Sequence, residues 1–310
     1  MDLRNTINRM RNRVVNRTTG LFAHAPYPLT NTLDHMGDPG LFGPDSATWP
    51  IIGDAAAFIG GVRALVIQAA HPEVAAGVAD HSRYRQDPLG RLSRTSAYVT
   101  ATAFGAMPEV ERAVSMVRGR HRPVAGTSHR GRTYTAATPV YAAWVHNALT
   151  DSFLVAFQVF GPRHRDEVNA DQFVAEQTRV GALLDAAPLP ATADGLAAWV
   201  AEHPDAGPSP AMESALEFLT SPPLPRAVKL GYRMMYWAAV ATIPRRLRGV
   251  LGLRRVPGAI VTGRILVGFL RWALGSSPSW HVALVRAGAP VPDGLFNQPL
   301  LAPAKRATAV

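Results

Sequence analysis

The chain has 310 residues, of which 47% are apolar and 17% charged, and it contains no cysteine. This composition excludes disulfides, thiolate metal sites, iron–sulfur clusters and a cysteine nucleophile, and its apolar content is too high for a disordered chain. The formal net charge is +10, and the segment between Phe218 and Pro292 carries basic residues but no acidic one. A basic segment favours binding to phosphate groups, yet no nucleic-acid-binding motif accompanies it.

The N-terminal segment is polar and rich in arginine, without the apolar core of a secretory signal and without a twin-arginine pair. The most apolar stretches, such as residues 234–244, are too short to span a bilayer. We therefore expect a cytoplasmic protein that binds no nucleic acid. Peripheral contact between residues 226–271 and an anionic membrane stays open as an alternative.

Helical periodicity dominates the sequence. In chain order, the pattern predicts an Arg-rich helix and a turn-rich arm over 1–50, then helices over 54–71, 73–81, 91–104, 109–120, 139–160, 166–184 and 194–201, a loop over 203–210, and two or three helices between 226 and 274. The best strand pattern is the short segment Thr133–Thr135. We therefore predict an all-α fold with one large helical domain over 51–290 and an irregular tail over 291–310.

Most catalytic motifs are missing from the sequence, including the phosphate loop, the dinucleotide fingerprint, the zinc-protease motif and the nucleophile elbow. His71-Pro72-Glu73 has the His-x-Glu spacing that begins a two-histidine, one-carboxylate iron site. Such a triplet usually lies on a strand, where residues i and i+2 point the same way, whereas this one follows a predicted helix. The fragment by itself therefore does not establish an iron site.

Three histidines, His71, His121 and His146, each continue the apolar stripe of a predicted helix and are expected to face inward. A single inward histidine is more simply a core residue bonded to a carbonyl group. Arg63, however, also lies within an apolar helix, and burying charged groups without partners costs several kcal/mol each.

Arg91, Arg94 and Thr95 share one face of the helix predicted over 91–104. An anionic or metallic group inside the helical domain would partner these side chains and the inward histidines. Haem b fits, because its macrocycle is apolar, its iron binds a neutral imidazole and its propionates pair with arginine.

Several segments extend this argument, and they occur in one order: Gly61-Val62-Arg63-Ala64-Leu65-Val66-Ile67-Gln68-Ala69-Ala70-His71-Pro72, Asp80-His81-Ser82, Arg91-Leu92-Ser93-Arg94-Thr95, His121-Arg122-Pro123-Val124-Ala125-Gly126 and Trp144-Val145-His146. In order and spacing they resemble the haem-dependent oxygenase family that contains latex clearing protein and MpaB, over about residues 53–190. The resemblance implies an all-α fold with a globin-like core, bound haem b, and insertion of dioxygen across a carbon–carbon double bond of an isoprenoid.

The resemblance also implies roles for individual residues. His121 matches the proximal iron ligand, and Arg91 and Thr95 match residues needed for haem binding or activity. Arg94 stands where latex clearing protein has a ligating lysine. A guanidinium keeps its proton and is not expected to ligate iron, so Arg94 is expected to donate hydrogen bonds to dioxygen or to pair with a propionate. The family's acidic pocket residue has no secure match, and the candidates for it are Glu73 and Asp80.

We therefore predict a haem b-dependent oxygenase that acts with dioxygen, and an unidentified electron donor, on a small apolar substrate of isoprenoid or lipid type. The predicted catalytic residues are Arg91, Arg94 and Thr95, and the predicted cofactor-binding residues are His121, Arg91, Arg63, His71 and His146, with His121 as the iron ligand. Two alternatives remain: a haem-binding protein without oxygenase activity, and a basic helical protein that docks on a membrane surface or a partner.

Overall fold

The computed structural model describes residues 3–298, so the ends of the predicted arm and tail lie outside the described part of the chain. Helices dominate, and the named strands within this part form one two-stranded hairpin, which confirms the all-α prediction. The helices run over Leu3–Phe22 (α1), Thr48–Gly53 (α2), Ala57–Gln68 (α3), Pro72–His81 (α4), Pro88–Phe104 (α5), Met107–His121 (α6), Pro139–Phe160 (α7), Ala170–Ala182 (α8), Ala193–Ala201 (α9), Pro210–Thr220 (α10), Arg226–Thr242 (α11), Arg245–Val250 (α12), Ala259–Leu274 (α13) and Pro278–Ala287 (α14). The strands are Ala125–Thr127 (β1) and Thr133–Thr135 (β2), which pair antiparallel.

Proline and capping residues set several helix starts. Asp87 precedes Pro88 at the start of α5, and its carboxylate accepts a hydrogen bond from the Gly90 amide at 3.0 Å. Ser209 caps α10 in the same way. Proline suits the first helical position because its missing N–H would have no partner there. Because of these caps, α5 begins before the predicted start at Arg91. The sequence pattern did not predict α2, α10 or α14.

The centre of the molecule is the close pair α3 and α7. A Cβ atom at Gly60 would lie 2.7 Å from the Phe153 ring and 3.1 Å from the Ser152 carbonyl oxygen, so only glycine permits this approach. Trp144 and Ile59 are fully buried in the surrounding core. The prediction that the long apolar helix over 139–160 is central and buried is therefore confirmed.

The remaining elements surround this pair. α11 packs on α13, with Ala238 against Gly263, and also on α3 and α7, while α13 packs on α7. α5 and α6 are consecutive helices in contact, linked only by Gly105 and Ala106. The β hairpin packs on α4, where the Tyr134 hydroxyl donates to Asp80. The globin-like arrangement implied by the resemblance stays a prediction.

The basic C-terminal segment is only partly a surface feature. Arg271 forms two hydrogen bonds of 2.7 Å with the buried carboxylate of Asp54. Arg286 is fully buried and donates to the Thr32 hydroxyl and the Phe104 carbonyl. These two cations therefore stabilise the interior. Within residues 3–298, we find no helix with both the length and the apolar character needed to cross a bilayer.

Candidate functional site

Arg91 is a half-buried cation on α5 that has no acidic partner among the described residues. Its guanidinium lies 5.7 Å from the centroid of the Tyr84 ring and forms no ion pair or hydrogen bond with the described residues. Burial lowers the pKa of the Arg91 guanidinium. Because an unpaired charge is costly to desolvate, this side chain is suited to an anionic ligand.

The neighbouring predicted residues are differently placed. Arg94 forms an ion pair of 3.0 Å with Asp87, the residue that caps α5, and both side chains remain partly exposed. The Thr95 hydroxyl donates to the Arg91 carbonyl at 3.0 Å, and Thr95 is exposed. Their predicted catalytic roles stay predictions. The Asp87 ion pair engages one nitrogen of Arg94 and leaves the others available as donors.

The apolar stripe of α6 loses burial toward its C-terminal end. Val110 and Val114 are buried, Val117 is half-buried, and His121 in the last turn is exposed. His121 therefore does not reach the core as the periodicity suggested. Partial desolvation still lowers the pKa of the His121 imidazole, which favours the neutral form that binds metal.

Tyr98, on α5, packs against an apolar cluster that includes Val110 and Val114 of α6. Its hydroxyl is buried without a hydrogen-bond partner among the described residues, and burial raises the pKa of Tyr98 to about 12. Burying a hydroxyl without a hydrogen-bond partner costs free energy, so the Tyr98 hydroxyl is a further group that could donate to a ligand.

Arg91 stands near the start of α5 and His121 at the end of α6, so each lies in the part of its helix far from the two-residue link of this α5–α6 hairpin. The groups that these two helices offer are the His121 imidazole, the Arg91 guanidinium without a carboxylate partner among the described residues, and the buried hydroxyl of Tyr98. Haem b uses the first two kinds of group, the imidazole on iron and the guanidinium on a propionate, so the donor set fits this cofactor.

His146 occupies a tighter position on α7. Its ring lines a cavity of about 20 Å³ with Tyr98 and Phe153, which is too small for a macrocycle. A Cβ atom at Gly181 of α8 would lie 2.8 Å from the ring, so the glycine allows α8 to approach. Burial lowers the pKa of His146 to about 4, against the opposing effect of a hydrogen bond to the Gln177 backbone. His146 thus has packing and hydrogen-bond partners within the protein, and its predicted role in cofactor binding stays a prediction.

Arg63 is buried on α3, as predicted, and its partner is a carboxylate of the protein. One guanidinium nitrogen lies 2.6 Å from an Asp151 carboxylate oxygen and 2.9 Å from the Ser152 hydroxyl, both on α7. The other terminal nitrogen contacts the Thr242 carbonyl at 3.5 Å. This ion pair is a sufficient reason for the burial of Arg63, and its cofactor role also stays a prediction.

His71 belongs to a different cluster. The His71 ring, just before α4, faces His203 in the loop after α9, with 5.4 Å between ring centroids. Ring nitrogens of these two histidines and a carboxylate oxygen of Asp205 all lie within 4.8 Å of one another. Burial lowers the pKa of His71 to about 4 and also lowers that of His203. Two neutral imidazoles and a carboxylate are a set of metal-ligating groups.

The two acidic candidates for the family's pocket residue have separate surroundings. Glu73 is buried beside His71, with 3.3 Å between an oxygen of its carboxylate and His71 Nδ1. Asp80 is exposed and accepts a hydrogen bond from Tyr134. Neither the hydrogen bonds nor the ion pairs of these two residues involve α5 or α6.

Sequence reasoning missed His203, Asp205 and Tyr98. One signal for the first two was present: His203-Pro204-Asp205 repeats the His-Pro-acid pattern of His71-Pro72-Glu73. A proline restrains the residue before it to extended conformations, and His71 has φ −98° and ψ 114°. The sequence did not show that the two tripeptides meet.

Comparison with protein families gives one match. Residues 49–272, more than half of the chain, match the family described as ER-bound oxygenase mpaB/B'/Rubber oxygenase, catalytic domain. Comparisons with curated proteins and with solved structures gave no match. The matched range includes both helices of the α5–α6 hairpin and the His71 cluster. The chain therefore belongs to the mpaB and rubber oxygenase family, and it carries the catalytic domain of an oxygenase.

Proposed function

We propose that this protein is a haem b-dependent oxygenase that acts with dioxygen on a small apolar substrate of isoprenoid or lipid type. The observation that supports the proposal is that the contacting helices α5 and α6 carry both kinds of group: the His121 imidazole, whose pKa is lowered by burial, and the Arg91 guanidinium, which has no acidic partner among the described residues. The oxygenase family of the chain supports the same conclusion.

In this proposal, His121 offers a ring nitrogen to the iron and Arg91 pairs with a propionate. When bound, haem supplies the binding and activation of dioxygen, which no side chain of the protein provides. Arg94 is held in place by Asp87 and has guanidinium N–H groups left to donate to an oxygen atom. Thr95, one turn from Arg91, lies on the same face of α5.

Haem retention by matched variants tests the proposal. The full chain and the variants His121→Ala, Arg91→Gln and His164→Ala are expressed with a haem precursor, and haem per chain is measured after gel filtration. His164 is the control, because it is an exposed histidine paired with Glu167 outside the hairpin. We expect His121→Ala and Arg91→Gln to lose most of the haem and His164→Ala to keep it. Full haem content and an unchanged spectrum in His121→Ala would show that His121 is not the ligand.

We also propose that the outer face of α13 docks on an anionic lipid bilayer, from which an apolar substrate could enter. Four large apolar residues are exposed along one face of this helix, with exposures between 40% and 64%: Val261, Ile265, Phe269 and Trp272. Their spacing of four, four and three residues follows one stripe of a helix. Leu230 on α11 is 69% exposed, and it adjoins Gly231, which faces Leu266 of α13.

The positive charge around this stripe favours binding to an anionic surface. Arg226, Lys229 and Arg233 on α11 and Arg264 on α13 are exposed, and no acidic residue lies between positions 218 and 292. Apolar side chains flanked by exposed cations are typical of helices that lie in the membrane interface. Each basic side chain near an anionic surface contributes about 1 kcal/mol to the attraction.

Flotation with lipid vesicles tests this surface. We expect the chain to float with vesicles that contain phosphatidylglycerol, to float less at high salt, and to stay unbound with phosphatidylcholine alone. Ile265→Glu should abolish binding, whereas Met36→Glu, at another exposed apolar residue, should not. Equal binding by both variants would rule out α13 as the docking face.

A further inference from the structure

The His71 cluster is built by different elements from those that carry Arg91 and His121. His71 stands at the start of α4, and His203 and Asp205 lie in the loop between α9 and α10. The His203 ring is held by two indoles, with ring centroids 4.8 Å from Trp144 and 4.6 Å from Trp199. The rigid aromatic packing therefore fixes the direction of this imidazole.

Buried polar atoms in the cluster lack partners. His71 and Glu73 are each 1% exposed, and neither His71 Nδ1 nor the nearer Glu73 oxygen forms a hydrogen bond with the described residues, although the two atoms are 3.3 Å apart. The other Glu73 oxygen accepts from the Ser128 hydroxyl at 2.9 Å. No Lys or Arg of the described chain forms an ion pair with Glu73, so a cation bound at His71 would supply the missing positive charge.

The third member, Asp205, is oriented by neighbouring arginines. Arg132 donates to one carboxylate oxygen at 2.8 Å, and Arg130 donates to the Asp205 main-chain carbonyl at 3.1 Å. Carboxylates that ligate metals are commonly held by such outer hydrogen bonds, and ligating histidines commonly face a carboxylate, as His71 faces Glu73. The surroundings therefore resemble the outer shell of a metal site.

A cavity of about 330 Å³ adjoins the cluster. His71, His203 and Asp205 all line it, together with Trp199 and Glu202. A cavity of this size holds several waters or a small ligand beside an ion. Three protein ligands next to such a space match the metal sites that keep open positions, rather than the closed four-ligand structural type.

We propose that His71, His203 and Asp205 bind one divalent ion of the first transition row, such as zinc or ferrous iron, with its open positions toward this cavity. Two imidazoles and one carboxylate are the ligand set that these ions share. Ligand atoms around a tetrahedral ion lie about 3.4 Å apart. The ligand atoms of this cluster, which lie within 4.8 Å of one another, would therefore draw together by up to about 1.4 Å on binding. The Asp205 amide donates to His203 Nδ1 at 3.3 Å. This long hydrogen bond would be lost on metal binding, because Nδ1 would either ligate the ion itself or carry the ring proton while Nε2 ligated it.

Calorimetry with zinc on the full chain, after treatment with a chelator, tests the proposal. We expect one zinc ion per chain, confirmed by elemental analysis after gel filtration. His203→Phe keeps the ring between Trp144 and Trp199 but removes the ligand, and Asp205→Asn removes only the carboxylate charge. Each variant should lower the zinc affinity by at least about tenfold.

The control is His164→Ala, which removes an exposed histidine–glutamate pair and should bind zinc as the parent does. If circular dichroism shows that His203→Phe does not fold, the zinc affinity of Asp205→Asn alone tests the proposal. Haem content, measured in the same samples, should stay unchanged in both variants, so failure of this site and failure of the haem proposal are distinguishable. A parent chain that binds no zinc, or variants that bind it as tightly as the parent, would overturn the proposal.

Discussion

Replacing Asp151 by leucine is expected to destabilise the protein strongly, because it leaves Arg63 as an uncompensated charge in the core. The side chains of this pair are 1% and 5% exposed and lie 2.6 Å apart. Without Asp151, the guanidinium keeps only neutral contacts, the Ser152 hydroxyl at 2.9 Å and the Thr242 carbonyl at 3.5 Å. Its Nε has no partner even in the intact pair.

The size of the effect follows from the cost of breaking a buried ion pair, about 3–5 kcal/mol when one partner is removed. The double replacement Arg63→Met with Asp151→Leu removes both charges and fills a similar volume. Such exchanges are often neutral or stabilising. The single variant Asp151→Leu should therefore be less stable than the double variant by several kcal/mol.

Urea unfolding of the parent, both single variants and the double variant measures this difference, provided that the m-values agree. A loss below about 1 kcal/mol in Asp151→Leu would refute the assignment of a dry, tightly paired Arg63. Haem content of the double variant separates the two roles of Arg63. Loss of haem in the double variant would support the predicted cofactor role of Arg63, whereas full haem content would assign Arg63 to the ion pair with Asp151 alone.

Three further outcomes follow from the structure. Gly181→Ala should destabilise the chain by about 1–3 kcal/mol in thermal unfolding, because the added Cβ would lie 2.7 Å from Leu189 and 2.8 Å from His146. Unchanged stability would show that α8 does not pack this closely against the His146 ring. Burial lowers the pKa of His71 and that of His146 from 6.5 to about 4. The stability that these neutral rings contribute is therefore complete above pH 6.5 and is lost as the pH falls toward 4, by about 3 kcal/mol for each histidine. A flat stability profile over that range would contradict their burial as neutral rings. Ser209→Ala should cost about 1 kcal/mol through loss of the α10 cap, and an equal denaturation midpoint would show that the cap is not formed.

Most of the helices could be predicted from local sequence signals, namely apolar periodicity and the prolines and glycines at helix ends. Pro139 and Gly161 bracket the apolar periodicity of α7, and the predicted range is the observed one. The stretch before Ser209 is rich in proline, which is typical of a loop. The helix that begins at Pro210 was therefore not predicted, although Ser209 stands at the position of a helix cap. The strand at Thr133–Thr135 was found because its alternation is local.

Tertiary partners explain what the sequence could not show. The periodicity placed Arg63 inside, but its partner Asp151 lies on another helix, and one helix does not reveal which carboxylate will face it. The same limit hid the meeting of His71 with His203. For His121, the stripe of α6 continues in sequence while the last turn projects beyond the packed core, so periodicity alone overstated its burial.

The absorption spectrum of the full chain shows whether haem bound at His121 gives this oxygenase its reactivity, as we propose. The chain is expressed with a haem precursor, and spectra are taken oxidised, reduced, and reduced with carbon monoxide. We expect a strong Soret band that shifts with carbon monoxide, as for haem with an open position, and that is lost in His121→Ala. A colourless chain that also fails to take up added haem would show that this protein is not a haem-dependent oxygenase and would leave His121 and Arg91 with structural roles only.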